Sequence, residues 1–129
     1  MKFLMAKIQG MEAYPEIRGK VIFEEACNGV FVNAQICNLP QTENNIFAFH
    51  IHDENGHYNP DNNPHPRHRG DMPPLFSMKG RASLSFVTDR FKLCEIAGKK
   101  VVVHIGVDDF TTQPSGNSGE MIATGIIGH

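Results

Sequence analysis

The stretch FAFHIHDENGHYNPDNNPHPRHRGD, residues 47–71, holds five of the seven histidines in the chain and ends on a carboxylate. Imidazole and carboxylate groups are the usual protein ligands of divalent transition metals. Any one of these histidines could simply be solvated, but a cluster of this density favours a metal site. The candidate ligands are His50, His52, His57, His65, His68 and Asp71.

The beginning of this stretch predicts a β-strand. Phe47, Phe49 and Ile51 alternate with the residues between them, which is the period of a strand with one face in a core. His50 and His52 then share the opposite face, about 7 Å apart along the backbone, and two imidazoles at that spacing can converge on one ion. The remainder of the stretch is rich in Asn, Pro, Asp and Gly, and it predicts a long loop that carries the other ligands.

Strand-like segments separated by turn residues recur along the whole chain. Asn28-Gly29 and Lys79-Gly80 predict two tight hairpins. Apolar residues nowhere recur at helical spacing over ten or more positions, so we expect an all-β domain, either a sandwich or a barrel. The eight expected strands are residues 2–9, 21–27, 30–37, 47–52, 75–78, 81–86, 99–107 and 121–127, and residues 91–93 are expected to add a short extended piece.

The late strand KKVVVHIGV, residues 99–107, offers a third histidine. Alternate apolar residues of this strand fall on one face, and His104 falls on the other. A single outward histidine is usually solvated, but beside His50 and His52 it becomes a natural third ligand.

Length and charge narrow the class of protein. With 129 residues, a net charge of −2 and 20% charged residues, we expect one domain over residues 1–129 and no nucleic-acid partner. No apolar run has the length of a membrane helix, so we expect no membrane partner. Charge and polarity come early in MKFLMAKIQGME, so we expect a cytoplasmic protein, or a periplasmic or secreted one if a signal was removed beforehand.

The three cysteines, Cys27, Cys37 and Cys94, are expected to be buried thiols. With Asn28-Gly29 as the turn, Cys27 would pair with Val30 and Cys37 would lie near Lys20, roughly 20 Å further along the ladder. A disulfide cannot span that separation. Free thiols are typical of a reducing compartment.

Several motifs together resemble the copper/zinc superoxide dismutases. FHIH, residues 49–52, is similar to the paired copper histidines of that family, and HYNP, residues 57–60, is similar to the segment of its bridging histidine. HPRHRGD, residues 65–71, is similar to the zinc loop. VVVHIGVDD, residues 101–109, carries the remaining copper histidine, and GNSGEMIATGII, residues 116–127, is similar to the glycine-rich stretch that enters the last strand. The resemblance covers nearly the whole chain and implies an eight-stranded Greek-key β-barrel or sandwich with a long metal-binding loop.

The resemblance implies a copper site and a zinc site that share one imidazolate, that of His57. Asp108 is implied to be the carboxylate that orients His50 and His65 together. The implied copper ligands are His50, His52, His57 and His104, and the implied zinc ligands are His57, His65, His68 and Asp71.

The implied activity is the disproportionation of superoxide to dioxygen and hydrogen peroxide. Copper would alternate between Cu(II) and Cu(I), while zinc would keep its oxidation state. His57 would release copper, take up a proton and pass it to the second superoxide. The copper histidines His50, His52, His57 and His104 are therefore the implied catalytic residues.

The chain departs from the family pattern in two places. The connection from His52 to His57 is short and lacks the usual cysteine, whose partner position is occupied by Thr124, so we expect no intrachain disulfide and either a monomer or a non-standard homodimer. The active-site arginine of the family falls at Met121, so we expect a reduced rate. Arg67 or Arg69 could substitute in part, although a solvated loop charge is favoured for both.

Two other classes of protein remain open. A non-catalytic copper/zinc-binding protein of the same fold, used for storage or delivery, would keep every ligand and would explain the missing arginine. A cupin-like metalloenzyme also begins with His-x-His on a strand. It is disfavoured because Gly56-His57 stands where its glutamate is expected.

Overall fold

The computed structural model describes residues 2–54, 56–63, 68–106 and 119–129, and the regular secondary structure within them is almost entirely β. One short helix, α1, precedes the ninth strand. The elements in order are β1 (Phe3–Gly10), β2 (Arg18–Ala26), β3 (Gly29–Cys37), β4 (Ile46–Phe47), β5 (Phe49–Asp53), β6 (Gly56–His57), β7 (Leu75–Met78), β8 (Arg81–Thr88), α1 (Leu93–Ile96), β9 (Lys100–His104) and β10 (Met121–Gly128). The all-β prediction is confirmed.

The strands form one antiparallel sheet that curls into a barrel. Its order is β4-β7-β8-β3-β2-β1-β10-β9-β5-β6. β4 lies at one end of this order and β5 lies near the other, yet only Ala48 separates them in the chain. The two ends of the sheet must therefore meet at residues 46–53. The connections from β3 to β4 and from β8 to β9 skip neighbouring strands, as in a Greek key.

The core is formed by the alternate residues of each strand that face the barrel interior. In β1 the buried side chains are Leu4, Ala6 and Ile8, while the residues between them are exposed. The ring of Phe23 on β2 meets the ring of Phe91 edge-on at 6.2 Å between centroids. Complete burial of a side chain of this size stabilises the fold by about 1.5–3 kcal/mol.

The number of strand segments differs from the eight that we expected, and one expected element is wrong. Residues 47–52 are interrupted at Ala48, and the two-residue strand β6 lies in what was expected to be loop. The extended piece at residues 91–93 is wrong at Leu93, which begins α1. The backbone N–H of Lys92 donates to the side chain of Glu95 at 2.9 Å, so a side-chain hydrogen bond closes this turn.

One of the two expected hairpins has its turn shifted by one residue. Lys79 and Gly80 form the turn between β7 and β8 as expected, both with positive φ (53° and 82°). At the first hairpin, Ala26 pairs with Gly29, so the turn is Cys27-Asn28 and Asn28 adopts a φ of 63°. A Cβ on Gly29 would lie 2.4 Å from the carbonyl oxygen of Thr88, so glycine is needed within the strand at this position.

All three cysteines are free thiols, as expected, but they are not buried. Cys27 and Cys94 are exposed, and Cys37 is partly exposed. Because of the shifted turn, Cys37 pairs with Arg18 instead of lying near Lys20. None of the described residues belongs to a helix with the length and apolar character needed to cross a bilayer.

Candidate metal centre

Strands β5 and β9 bring three histidines together on one side of the sheet. His50 pairs with Val102 in the ladder, and His104 lies two residues further along β9 on the same face. The backbone N–H of His104 donates to the carbonyl of Ala48 at 2.9 Å, which fixes this end of β9 against the barrel closure. The ring of His50 lies 6.2 Å from that of His52 and 5.2 Å from that of His104, between centroids.

Strand β6 adds a fourth histidine, which the sequence had placed in a loop. Gly56 takes a φ of 111°, which allows the chain to reverse, and His57 then pairs with His52 across the ladder. The ring of His57 lies 4.0 Å from the ring of His50 and 4.8 Å from that of His52. Strand pairing therefore positions the fourth imidazole.

A second group of ligands lies on the other side of the His57 ring. Nδ1 of His57 is 2.9 Å from Oδ1 of Asp71 and 3.0 Å from Nδ1 of His68. The backbone N–H of His68 donates to Oδ2 of Asp71 at 3.0 Å, so the two residues hold each other in place. Asp71 also forms an antiparallel bridge with His50, which joins this group to β5.

The two groups share His57. The ligand atoms of His50, His52, His57 and His104 lie within 4.8 Å of one another, and so do those of His57, His68 and Asp71. Nδ1 of His57 faces the second group of ligands. The buried Nε2 is therefore the ring nitrogen with which His57 would bind a metal in the first group. Four imidazoles suit Cu(II), and imidazoles with one carboxylate suit tetrahedral zinc, so the residues present fit these two metals. His65 and Asp108 lie outside the described residues, and their roles stay predictions.

The electrostatic surroundings of the first group keep His52 neutral. Burial lowers the pKa of His52 to about 3, helped by the positive charges that His57, His104 and His50 would carry. A neutral imidazole keeps the lone pair that a metal needs. When Nδ1 of His104 donates to the carbonyl of Gly119 at 2.9 Å, Nε2 of His104 is the acceptor nitrogen, and it faces Nε2 of His52 at 3.4 Å.

Gly70 allows the segment that carries His68 and Asp71 to pack closely against the barrel. Its N–H donates to the carbonyl of Tyr58, and its carbonyl accepts from Ile51. A Cβ on Gly70 would lie 2.4 Å from the oxygen of Ile51, so only glycine fits between these two backbones.

Arg69 ties the same segment to α1. Its guanidinium binds Asp61, with Nε to Oδ2 at 2.6 Å, and Glu95, with Nη1 to Oε2 at 2.7 Å. Tyr58 donates to the same Glu95 oxygen at 2.7 Å. The pKa of Tyr58 is raised to about 12; burial is the largest cause, and the hydrogen bond to Glu95 is the second. Arg69 is thus a partly exposed loop charge, as expected, but it is paired with two carboxylates. Arg67 lies outside the described residues.

A cavity of about 690 Å³ opens over the histidines. His52, His57 and His104 line it together with Asp53, Glu120 and Met121. Among the described residues that line this cavity there is no lysine or arginine, while two are acidic.

Comparison with known proteins decides the family. The family model described as copper/zinc superoxide dismutase (SODC) matches residues 17–127. The chain belongs to the copper/zinc superoxide dismutase family. This agrees with the resemblance seen in the histidine motifs.

Individual relatives agree with this assignment. The chain is 33% identical to "Superoxide dismutase [Cu-Zn] 2" of Aquifex aeolicus over 138 aligned positions, covering 87% of this chain and 80% of that protein. It is 30% identical to "Superoxide dismutase [Cu-Zn]" of Legionella pneumophila, covering 96% and 86%. It is also 27% identical to a "Copper chaperone for superoxide dismutase" of Rattus norvegicus, covering 98% of this chain and 54% of that protein.

A solved structure supports the fold. The Cu/Zn superoxide dismutase from Brucella abortus superposes with a TM-score of 0.82 at 24% identity, covering 97% of this chain and 99% of that one. The eight-stranded barrel that the resemblance implied is therefore the right architecture. The extra segments arise from the break at Ala48 and the short β6.

Proposed function

We propose that this protein is a superoxide dismutase that holds copper at His50, His52, His57 and His104 and zinc at His57, His68, Asp71 and His65. The observation that carries the proposal is the position of His57, whose ring lies between the two ligand groups. Zinc is assigned to the group that contains the carboxylate, and copper to the group of four imidazoles.

Each residue of the proposed site has a distinct role. Copper, when bound, supplies the one-electron chemistry that oxidises one superoxide and reduces the next. His52 is neutral at ordinary pH because of its low pKa, so it binds without first losing a proton. Asp71, 2.9 Å from Nδ1 of His57, fixes the orientation of that ring. Nε2 of His57 would then hold and release one of the two protons needed for hydrogen peroxide, and water would supply the other.

The residues that line the cavity predict a modest rate of superoxide turnover. The described residues that line the cavity include Glu120 and Asp53 but no lysine or arginine, and Met121 contributes no charge. Electrostatic steering of a small anion into a cleft raises the association rate by 10-fold or more in favourable cases; superoxide dismutase is itself the standard example. We therefore expect turnover below that of a relative with a cationic rim.

Superoxide loss with metal-loaded protein tests the proposal. Copper- and zinc-loaded protein should consume superoxide, and His57→Gln, normalised to bound copper, should consume it at least 10-fold more slowly. His129→Gln alters an exposed histidine outside the cavity and should equal the unchanged protein. No consumption by fully metal-loaded protein would refute the proposal. Sedimentation of the same samples would test the expected monomer or non-standard homodimer.

A second candidate function is copper delivery without turnover. The similarity to a copper chaperone for superoxide dismutase favours it. It is also favoured because none of the described residues that line the cavity is a lysine or an arginine. Copper-loaded protein that passes its copper to a metal-free acceptor without consuming superoxide would support delivery over dismutation.

A further inference from the structure

We propose that Met121 is an additional copper ligand, whose thioether binds the metal held by His50, His52 and His104 when that metal is Cu(I). The inference rests on the proposed copper site and deepens it, because it assigns a preferred oxidation state. Met121 stands where the resemblance implies an arginine, so this ligand would be a property of this chain.

The first argument is the position of Met121 in the sheet. Met121 is the first residue of β10 and pairs directly with His104 of β9. Residues directly opposite in an antiparallel ladder have Cβ atoms about 4.5–5.5 Å apart and share a face of the sheet. The register therefore sets the thioether on the same side of the sheet as the His104 imidazole.

The second argument is the shared cavity. Met121 lines the cavity that opens over the histidines, beside His52 and His104. The hydrogen bond from Nδ1 of His104 to Gly119, two residues before Met121, turns Nε2 of His104 towards His52. Residues 119–121 thus orient one ligand nitrogen through Gly119 and also bring Met121 to the same cavity.

The third argument is the chemistry of the side chain. A thioether is a soft ligand that favours Cu(I), and it adds little to Cu(II) or zinc, which prefer imidazole and carboxylate. Methionine is unbranched and has three rotatable bonds, so its sulfur can reach a nearby ion without backbone movement. Met121 remains 43% exposed, so its side chain is not held by core packing.

An exposed methionine on a strand is also common without any ligand role, and the chain offers a matched comparison. Met5 lies on β1, is 39% exposed and pairs with Gly128 at the far end of β10. Gly128 lies seven positions after Met121 on β10, which is roughly 24 Å at 3.4 Å per residue. Met5→Leu therefore removes a similar thioether far from the histidines.

The test compares the unchanged protein, Met121→Leu and Met5→Leu, each loaded with copper and chemically reduced. Affinity for Cu(I) is measured by competition with bicinchoninate, and the ligands are identified by X-ray absorption at the copper edge. Selenomethionine labelling separates this ligand from cysteine sulfur, because it gives copper–selenium scattering. Superoxide consumption is recorded on the same samples.

We expect copper–selenium scattering in the unchanged protein and in Met5→Leu, and none in Met121→Leu. Met121→Leu should bind Cu(I) about 10-fold more weakly and Cu(II) within twofold of the unchanged protein. The copper reduction potential should then fall by about 60 mV, since tenfold in a one-electron equilibrium corresponds to 59 mV. Met5→Leu should not differ from the unchanged protein in any of these measurements.

Two results would overturn the inference, and they are distinguishable. If the unchanged protein binds copper and consumes superoxide but shows no copper–selenium scattering, and Met121→Leu keeps its Cu(I) affinity, the methionine is no ligand and the proposed function stands. If the unchanged protein takes up no copper at the histidines, the proposed function fails together with this inference.

Discussion

His57 lies directly opposite His52 in an antiparallel ladder, and their rings are 4.8 Å apart. The shared residue of the two ligand groups is thus positioned by backbone pairing between β5 and β6. Asp71 is joined to β5 in the same way, through its bridge to His50. Strand pairing in the barrel wall therefore positions both groups of ligands. The arrangement of the metal centre thus depends on an intact sheet.

Acid should destabilise the metal-free protein through His52. In the unfolded chain a histidine takes up a proton near pH 6.5, but in the folded protein the pKa of His52 is about 3. Between these values the unfolded state binds more protons, so stability is lost as the pH falls from 6.5 towards 3, by at most about 1.4 kcal/mol per pH unit for one proton. Calorimetry of metal-free protein should show this loss, and His52→Gln should show a smaller pH slope. Equal slopes would contradict the prediction.

A cation at position 121 should raise the dismutation rate. A positive charge about 5 Å from superoxide contributes on the order of 1–3 kcal/mol at an effective dielectric near 20. We expect Met121→Arg, normalised to bound copper, to increase kcat/KM about 10-fold and to steepen its salt dependence. Met5→Arg adds the same charge at a distant exposed position and is the control. The steering argument fails if Met121→Arg behaves like Met5→Arg.

Loss of Arg69 should weaken zinc binding. Its guanidinium links Asp61 to Glu95, and Arg69 directly follows the ligand His68 in the chain, so Arg69→Ala should release the loop that carries His68 and Asp71. Residues that support metal ligands typically change affinity 10- to 100-fold when lost. We expect zinc affinity, measured by chelator competition, to fall by about 10-fold. Arg81→Ala removes an exposed arginine of β8 and should leave zinc affinity unchanged. Equal affinities in the two variants would show that Arg69 does not position the ligands.

A methyl group at Gly70 should disturb the second ligand group. Because its Cβ would lie 2.4 Å from the backbone oxygen of Ile51 and 2.9 Å from Cβ of Tyr58, the backbone must move. We expect Gly70→Ala to destabilise the protein by about 1–3 kcal/mol, as is typical of overpacking, and to lose zinc. Gly128→Ala meets no atom within 4 Å and is the matched control. Chemical denaturation with zinc analysis checks both variants, and wild-type stability in Gly70→Ala would contradict the close approach.

Strand alternation made part of this centre predictable. The alternation of Phe47, Phe49 and Ile51 gave the face of His50 and His52, and the same reasoning gave the face of His104. The hairpin at Lys79-Gly80 was predictable because its second turn residue is glycine, which takes positive φ without strain. The positive φ of Lys79 was not predictable from its residue type.

Other features depend on contacts that the local sequence does not encode. β6 has only two residues, too few for a periodic pattern, and it forms because Gly56 allows the reversal beside β5. The helix α1 has four residues, which is also too short for helical spacing to register. The partners of Arg69 lie 8 and 26 residues away, so its role depends on the folded barrel.

The central claim is that one imidazole, that of His57, holds two different ions. Anomalous diffraction from crystals of the copper- and zinc-loaded protein, recorded at both metal edges, tests it most directly. We expect copper beside Nε2 of His57, within reach of His50, His52 and His104, and zinc beside Nδ1, within reach of His68 and Asp71. A single ion, or two ions of which either lies away from the ring of His57, would contradict the account.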